Sequence, residues 1–239
     1  MTAPALSVAG LQKRFGGVVA VDGVSLDIAP GELHAVIGPN GAGKTTLISL
    51  LSGALAPNAG TILLDGRDIT GLAMHRRVRL GLARSYQITS LFPNFTVLEN
   101  LALAVQGAGG RHDLAHARAE LEGIGLADRA DRLAGALAHG ERRQLELGLA
   151  LATGAKILLL DEPMAGMAAE EAARIVGLIE ALKGQRTILL VEHDMDAVFR
   201  LADRITTLVY GRVIASGAPD EIRRHPEVRR AYLGEEAAA

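Results

Sequence analysis

The sequence contains no cysteine and no tryptophan, and aromatic residues make up only 3% of its 239 positions. Without cysteine the chain forms neither a disulfide nor a thiolate metal site, which excludes disulfide scaffolds and cysteine-based zinc modules. No apolar run reaches the roughly 20 residues that a membrane-spanning helix needs. The start, MTAPALSVAG, also lacks the charged and apolar segments of a secretory signal. We therefore expect a chain that is soluble when isolated and that another protein would have to bring to a membrane.

Neither sign of charge dominates the composition. The 25 Lys and Arg residues nearly balance 27 Asp and Glu residues, which gives a formal net charge of −2. This balance argues against a broad basic surface for DNA or RNA, so we expect no nucleic-acid partner. Because 49% of the residues are hydrophobic, the chain has enough apolar side chains for a large buried core.

The order of the apolar segments predicts an α/β fold. Short continuous apolar runs, typical of buried parallel strands, occur in LHAVI, KILLLDEP, TILLVEHD and RITTLVYG. Segments with helical spacing lie among them, such as TTLISLLSG, which we expect to end at Gly53. From about residue 96 to 153 the strand signals vanish and helical spacing takes over. We interpret this middle part as a helical lobe inserted into an α/β core.

The segment GPNGAGKTT follows a predicted strand and opens a predicted helix. It fits the pattern G-x-x-x-x-G-K-[ST], in which glycines let backbone N–H groups approach phosphate oxygens at a helix N-terminus. Lys44 is predicted to reach the β- and γ-phosphates, and the Thr45 hydroxyl to bind Mg²⁺. The alternative is a glycine-rich turn without a ligand, which the Lys-Thr pair in register disfavours. The predicted nucleotide contacts are Gly38, Pro39, Asn40, Gly41, Ala42, Gly43, Lys44, Thr45 and Thr46.

Two acidic residues end the apolar strand ILLLDE at 157–162. Because open α/β sheets bind ligands at the carboxyl ends of their strands, Asp161 and Glu162 would face a ligand. We expect Asp161 to hold Mg²⁺ through water, and Glu162 to act on the attacking water as a base or an orienting group. Alone, the pair would equally suit the start of a helix, where acids favour the helix dipole. Downstream of a phosphate loop, it indicates a nucleoside triphosphatase.

Three further residues are weaker candidates for the same site. His193 follows the apolar strand TILLV, and its position at the expected sheet edge favours a γ-phosphate contact over an ordinary loop residue. Gln87 ends a strand-like stretch, and its amide would ligate Mg²⁺ or the attacking water. Phe15, one of four phenylalanines, would either stack on adenine or pack in the core, and the sequence leaves both open.

The order of these motifs resembles the ATP-binding cassette (ABC) family over nearly the whole chain. The discriminating motif is LAHGE at 137–141, because a glycine that leads into an amphipathic helix stands where the family has its signature loop. The resemblance implies that this loop contacts the γ-phosphate of ATP bound by another subunit, through Ala138, His139, Gly140 and Glu141. It implies ATP and Mg²⁺ as cofactors. The implied catalytic residues are Lys44, Gln87, Glu162 and His193, and the implied Mg²⁺ ligands are Thr45, Gln87 and Asp161.

The same resemblance implies the fold and its bounds. The ABC ATPase fold is an α/β fold: a RecA-like P-loop NTPase core with an N-terminal antiparallel β portion and an inserted α-helical lobe. We expect one such domain over 6–234, followed by a frayed tail at 235–239. Within it we expect the core at 6–87 and 154–234 and the helical lobe, with the signature loop, at 88–153.

Finer similarities indicate a subfamily and its partners. The segments YQITSLFPNFTVLENL, LDEPMAGM and GRVIASGAPDEIRRHPEVRRAYLGE resemble the ATPase subunits of branched-chain amino acid importers. This resemblance implies a second ATPase subunit, two membrane-spanning permease subunits, contacted near 87–100, and a periplasmic binding protein. The chain would then be peripheral on the cytoplasmic face of the membrane. The alternatives are the ATPase of a lipopolysaccharide-type exporter, a non-transport cassette, and a subunit that senses ATP without hydrolysing it.

Two positions depart from the family pattern. Ala138 replaces the usual serine of the signature loop, so that its side chain donates no hydrogen bond to a phosphate, and Ala168 replaces an aspartate that couples the two sites of the dimer. A hydrogen bond to a charged group contributes about 1.5–3 kcal/mol, and we expect the Gly140 amide and the helix dipole to offset part of its loss. We favour an asymmetric pair of non-identical ATPases, although the sequence also allows a homodimer.

Overall fold

The computed structural model describes residues 3–85, 91–108 and 113–233. They form two compact units. The first contains the residues up to Met74 and those from Lys183 on, and the second is His75–Leu182. The second unit is longer than the helical lobe expected at 88–153, because it also contains strands and helices on either side of that segment. The bounds of the lobe stay a prediction.

The elements alternate along the chain as the apolar pattern predicts. The strands are β1 (Leu6–Phe15), β2 (Val18–Ile28), β3 (Leu33–Ile37), β4 (Ala59–Leu64), β5 (Arg67–Asp68), β6 (Leu82–Arg84), β7 (Ile157–Asp161), β8 (Thr187–Val191), β9 (Arg204–Val209) and β10 (Arg212–Gly217). The helices are α1 (Lys44–Ser52), α2 (Met74–Arg79), α3 (Val97–Gly107), α4 (Leu114–Gly123), α5 (His139–Ala152), α6 (Ala169–Leu182), α7 (Met195–Leu201), α8 (Pro219–Arg224) and α9 (Pro226–Leu233). Within the described parts of the chain, no helix is both long enough and apolar enough to cross a membrane.

The first unit contains two kinds of sheet. Strands β2, β1, β4 and β5 pair antiparallel in that order, which is the expected N-terminal antiparallel portion. Strand β3 pairs parallel with β8 on one side and with β9 on the other, and β10 pairs antiparallel with β9. All five residues of β3 and of β8 are buried, as their continuous apolar runs predict for central parallel strands.

A polar network crosses the buried strands of the first unit. His34, on β3, is 1% exposed, and its ring nitrogens lie 2.8 Å from Glu32 Oε1 and 2.8 Å from Thr206 Oγ1. Burial alone would raise the pKa of Glu32. The hydrogen bonds from His34 and from the Ala29 amide, with the charges of His34 and Arg204, outweigh it and lower that pKa. A histidine inside an apolar strand is thus fully partnered within the fold.

The second unit combines a parallel strand pair with helices. Strand β6 pairs parallel with β7, and helices α3, α4 and α5 occupy the segment in which the strand signals vanish. Helix α3 starts with a reciprocal cap, because the Thr96 side chain accepts from the Glu99 amide while Glu99 accepts from the Thr96 amide. The expected helical character of this segment is confirmed.

Candidate functional site

The phosphate loop connects β3 to α1 in the first unit. Lys44 is the first residue of α1 and is only 7% exposed. Its Nζ donates to the backbone oxygens of Gly38 at 2.6 Å and of Pro39 at 3.0 Å. The backbone of the loop therefore surrounds the Lys44 ammonium group, so positive charge lies where the glycine-rich backbone turns.

Helix α1 presents its N-terminus to the same place. Its N-cap, Gly43, makes no side-chain cap, and its first turn contains no acidic residue. The first amides of a helix have no acceptor within the helix, and the helix dipole adds a positive potential there. Thr45, in this turn, is exposed. The arrangement is suited to bind an anionic group such as a phosphate.

Two other parts of the first unit hold the phosphate loop from outside. Gly43 has φ 102°, and a side chain there would overlap the carbonyl oxygen of Ala20 on β2. The Gly211 amide, in the β9–β10 turn, donates to Ala42 O at 2.9 Å, and Asp22 N donates to Gly211 O at 2.8 Å. The sequence alone did not predict these contacts of Gly211. The turn dipeptide at 210–211 predicts a hairpin turn but not what the turn contacts.

His193 lies at the same sheet edge as the phosphate loop. It follows β8, which pairs parallel with β3 so that Val191 is opposite Val36. The two strands therefore end side by side, and Gly38 and His193 both follow these ends. The His193 side chain is 63% exposed, with Nδ1 3.7 Å from Glu192 Oε2. The edge position is as expected, whereas its contact with a γ-phosphate stays a prediction.

Phe15 ends β1 at the hairpin with β2. It is opposite Val18 and 47% exposed, and Lys13 Nζ lies 5.3 Å from the centroid of its ring. Core packing, one of the two interpretations of this residue, is therefore not its role. Only a few residues further along β2, Ala20 contacts the phosphate loop, so the exposed ring belongs to the same part of the first unit.

The acidic pair lies in the second unit, where β7 ends. Asp161 is 1% exposed, and its Oδ2 accepts from Arg84 Nη2 at 2.8 Å. Arg84 comes from the paired strand β6, and its side chain is only 10% exposed. This buried ion pair orients the Asp161 carboxylate. Sequence reasoning did not identify Arg84, because its partner is 77 positions away along the chain.

Glu162 has an uncommon backbone conformation for a residue with a side chain. Its φ is 48°, in the left-handed region, and its carbonyl accepts from the Ala165 amide at 3.1 Å. Such a conformation costs of the order of 1–3 kcal/mol and persists when surrounding structure enforces it, often at functional sites. Glu162, in the tight turn after β7, is half-buried, whereas Asp161 is buried.

The signature-like segment opens α5 in the second unit. Glu141 Oε2 accepts from the Ala138 amide at 3.0 Å, and Oε1 accepts from Arg129 Nε at 2.7 Å. The Ala138 amide first, and Arg129 second, lower the pKa of Glu141. Glu141 therefore caps its own helix. Its contact with a nucleotide on another subunit stays a prediction.

The remaining candidate, Gln87, lies outside the described residues. Its roles at Mg²⁺ and at the attacking water stay predictions.

Comparisons with known proteins agree on one family. The family described as "ABC transporter" matches residues 21–165, and the family described as "Branched-chain amino acid ATP-binding cassette transporter" matches residues 212–238. The high-affinity branched-chain amino acid transport ATP-binding protein LivG of Escherichia coli is 41% identical, over 98% of this chain and 100% of LivG. The protein of the same description named BraF, from Pseudomonas aeruginosa, is 40% identical over the same shares.

Solved structures give the same result for the fold. The ADP conformation of MJ1267, an ATP-binding cassette of an ABC transporter, superposes with a TM-score of 0.89 at 31% identity. The match covers 98% of this chain and 100% of that chain. A nucleotide-free ATP-binding cassette from an ABC transporter gives a TM-score of 0.88 at 31% identity, over 97% of this chain and 100% of that one. The expected α/β P-loop fold is confirmed.

Replacing Gly43 tests whether the close backbone approach shapes the phosphate loop. Gly43→Ala would force a methyl group onto the Ala20 carbonyl, whereas Gly41→Ala meets nothing within 4 Å and has only the strain of its φ of 79°. We expect Gly43→Ala to lower the free energy of unfolding by about 2 kcal/mol more than Gly41→Ala. Denaturant titration of both variants measures this difference, and equal losses would contradict it.

Replacing Arg84 tests the buried ion pair. Arg84→Met leaves the Asp161 carboxylate buried without that cation, so we expect a loss of about 3–5 kcal/mol in the free energy of unfolding. Lys183→Met breaks a more exposed pair with Asp203 at 2.8 Å, and we expect it to cost less than about 1 kcal/mol. The double variant Arg84→Met/Asp161→Asn should regain part of the loss. Thermal or chemical unfolding gives the losses in the free energy of unfolding for the two single variants and the double variant. If the two single losses add up to the loss of the double variant, Arg84 and Asp161 are not coupled.

Proposed function

The chain belongs to the ABC transporter family, and we propose that it is the ATP-hydrolysing subunit that powers a membrane importer of branched-chain amino acids or of a related small amide or acid. The observation that carries the ATPase part is the phosphate loop, with Lys44 held inside it and His193 beside it at one sheet edge. The import part is supported by LivG and BraF, alignable with almost all of this chain, and by the match at 212–238.

We assign most of the contacts with ATP to the first unit. Lys44 and the amides at the start of α1 would bind the phosphates, and the exposed face of Phe15 would stack on the adenine. Thr45 offers a hydroxyl and Asp161 a carboxylate, and such hard oxygen donors, few in number, are what Mg²⁺ takes when phosphates supply other ligands. Mg²⁺ held by these residues would supply positive charge that neutralises the phosphates.

We assign the chemical step to Glu162 with His193. Glu162 would accept a proton from, or orient, the water that attacks the γ-phosphorus, and His193 would donate to a γ-phosphate oxygen. Arg84 supports this arrangement indirectly, because its hydrogen bond holds the Asp161 carboxylate in place.

The signature loop is assigned to the nucleotide of a second ATPase subunit. In this arrangement the Gly140 amide at the start of α5 would donate to the γ-phosphate of the partner's ATP. Ala138 offers no hydroxyl for that contact, so the backbone has the larger share of it. We propose a non-identical second ATPase as the partner, because two copies of this chain would place the alanine in both composite sites.

An apolar surface in the second unit is suited to contact the membrane-spanning subunits. Phe92 and Phe95 are 56% and 42% exposed with ring centroids 5.4 Å apart, and Leu133 is 49% exposed. Beside them lies a cavity of about 210 Å³, lined by Leu91, Pro93, Ala134, Gly135 and Arg142. Exposed aromatic side chains next to a concave apolar surface are typical of protein interfaces. The contact would hold the chain on the cytoplasmic face of the membrane, with the periplasmic binding protein on the other side.

Asn100 holds the backbone of the loop that carries the exposed phenylalanines. It is 2% exposed, and its side chain accepts from Phe92 N at 2.9 Å while donating to Phe92 O at 3.1 Å and to Thr96 O at 2.9 Å. The loop that carries both phenylalanines is thereby tied to α3. A preformed loop loses less conformational entropy on binding than a loose one.

Glu162→Gln tests the proposed function in the assembled transporter. We expect ATP hydrolysis to fall by about 10²–10⁴-fold, since the carboxylate that acts on water is lost, while ATP binding is retained. Uptake of radiolabelled leucine by vesicles should fall in parallel. Glu122→Gln, an exposed carboxylate on α4, is the control and should leave both unchanged. Undiminished hydrolysis by Glu162→Gln would refute the catalytic assignment, and hydrolysis without uptake of any branched-chain amino acid would refute the cargo.

Phe92→Ser tests the contact with the membrane subunits. Burying a phenylalanine side chain contributes about 1.5–3 kcal/mol, so we expect at least a roughly tenfold weaker association with the detergent-purified permeases. ATP binding by the isolated chain should not change. Leu114→Ser, at a similarly exposed apolar position on α4, is the matched control. If both variants bind the permeases as tightly as the parent, the contact lies elsewhere.

A further inference from the structure

One carboxylate links two loops of the second unit. Glu171 lies in the first turn of α6; its Oε1 accepts from the Gly140 amide at 3.2 Å, and its Oε2 accepts from the Ala168 amide at 3.3 Å. The second contact caps α6 from within. The first reaches the start of another helix, so a cap alone does not account for it.

Two backbone amides at the start of α5 donate to acidic side chains of this chain. The N-cap, Ala138, has no side chain that accepts a hydrogen bond. Instead Glu141 accepts from the Ala138 amide and Glu171 from the Gly140 amide. A helix N-terminus of this kind favours negative charge, and here Glu171 supplies charge where a phosphate would otherwise bind.

A side chain at position 140 would displace the Glu171 carboxylate. A Cβ atom at Gly140 would lie 2.6 Å from Glu171 Oε1, which is closer than side-chain carbons approach such an atom. A cavity of about 130 Å³ adjoins the contact, and Arg174, one turn further along α6, lines it together with Glu171 and Gln144. Residues three apart on a helix are neighbours, so Arg174 offers Glu171 another partner within the same cavity.

We propose that Glu171 is a latch that must release the Gly140 amide before this chain's signature loop receives the γ-phosphate of a partner's ATP. The inference rests on the proposed function, in which Gly140 makes that contact. One amide hydrogen does not serve two anionic acceptors well, and the carboxylate and the phosphate would repel each other at this distance. The contact, at 3.2 Å, lies outside the 2.7–2.9 Å range of strong charge-assisted bonds.

Glu171→Gln tests the latch, because it keeps the side-chain shape and removes the charge. Both it and a control are made in the full chain with Glu162→Gln, so that ATP is not consumed. The control, Glu170→Gln, removes an exposed carboxylate from the same helical turn and makes the same change in net charge. Dimerisation with Mg-ATP is followed by molar mass in solution over a protein concentration series, for the chain alone and with the second ATPase subunit.

We expect Glu171→Gln to dimerise with a dissociation constant about 5–10-fold lower than the parent, and Glu170→Gln to match the parent. If the parent and Glu170→Gln stay monomeric while Glu171→Gln dimerises, the latch is supported. Dimerisation of Glu171→Gln that is no tighter than that of Glu170→Gln overturns it.

Hydrogen exchange at the Gly140 amide, without nucleotide, should be faster in Glu171→Ala than in the parent, and an unchanged rate would also overturn the latch.

Binding of a fluorescent ATP analogue by the monomer separates this failure from failure of the proposed function. If parent and variant bind the analogue equally but Glu171→Gln has no effect on dimerisation, the latch alone is wrong. If neither binds it, the nucleotide site is wrong, and the latch is refuted with it. Thermal unfolding of Glu171→Gln and Glu170→Gln checks that both are folded alike.

Discussion

The close approach of two backbone segments to the phosphate loop is the constraint on which the rest of the first unit depends. Gly43 lies against Ala20 of β2, and Ala42 accepts a hydrogen bond from Gly211 in the β9–β10 turn. A loop that wraps phosphates has few side chains to stabilise it, so its shape has to come from neighbours. The antiparallel β portion and the end of the central sheet supply them, which explains why both are parts of the same unit.

Much of this arrangement was predictable from local pattern. Continuous apolar runs identified β3, β7 and β8, and the rule that ligands bind where parallel strands end identified the acids and His193. The residues that were missed have a common property. Arg84 and Glu171 act through partners 77 and 31 positions away, and Gly211 braces a loop that is still more distant in sequence. Such pairings depend on tertiary register, to which residue spacing gives no access.

The acids of the second unit show how one residue type serves different ends. Asp161 is buried, and its hydrogen bond from the Arg84 guanidinium orients the carboxylate. Glu141 is used inside its helix, as a cap, so its pKa falls for a structural reason rather than a catalytic one. Glu162 differs from both in its backbone, which adopts a left-handed conformation. Only the local geometry distinguishes these roles, since all three are carboxylates near a loop.

The alanine at 138 gives the Gly140 amide more weight than it would otherwise have. In a signature loop with serine, a hydroxyl and an amide share the approaching phosphate, and losing one contact leaves the other. In the proposed site the Gly140 amide would donate to that phosphate without a serine hydroxyl beside it, and here this amide already donates to Glu171. In the proposed composite site, closure would therefore include the cost of moving the Glu171 carboxylate away from a helix N-terminus. A partner ATPase with its own serine would not share this cost, so two non-identical subunits would form two sites of unequal affinity.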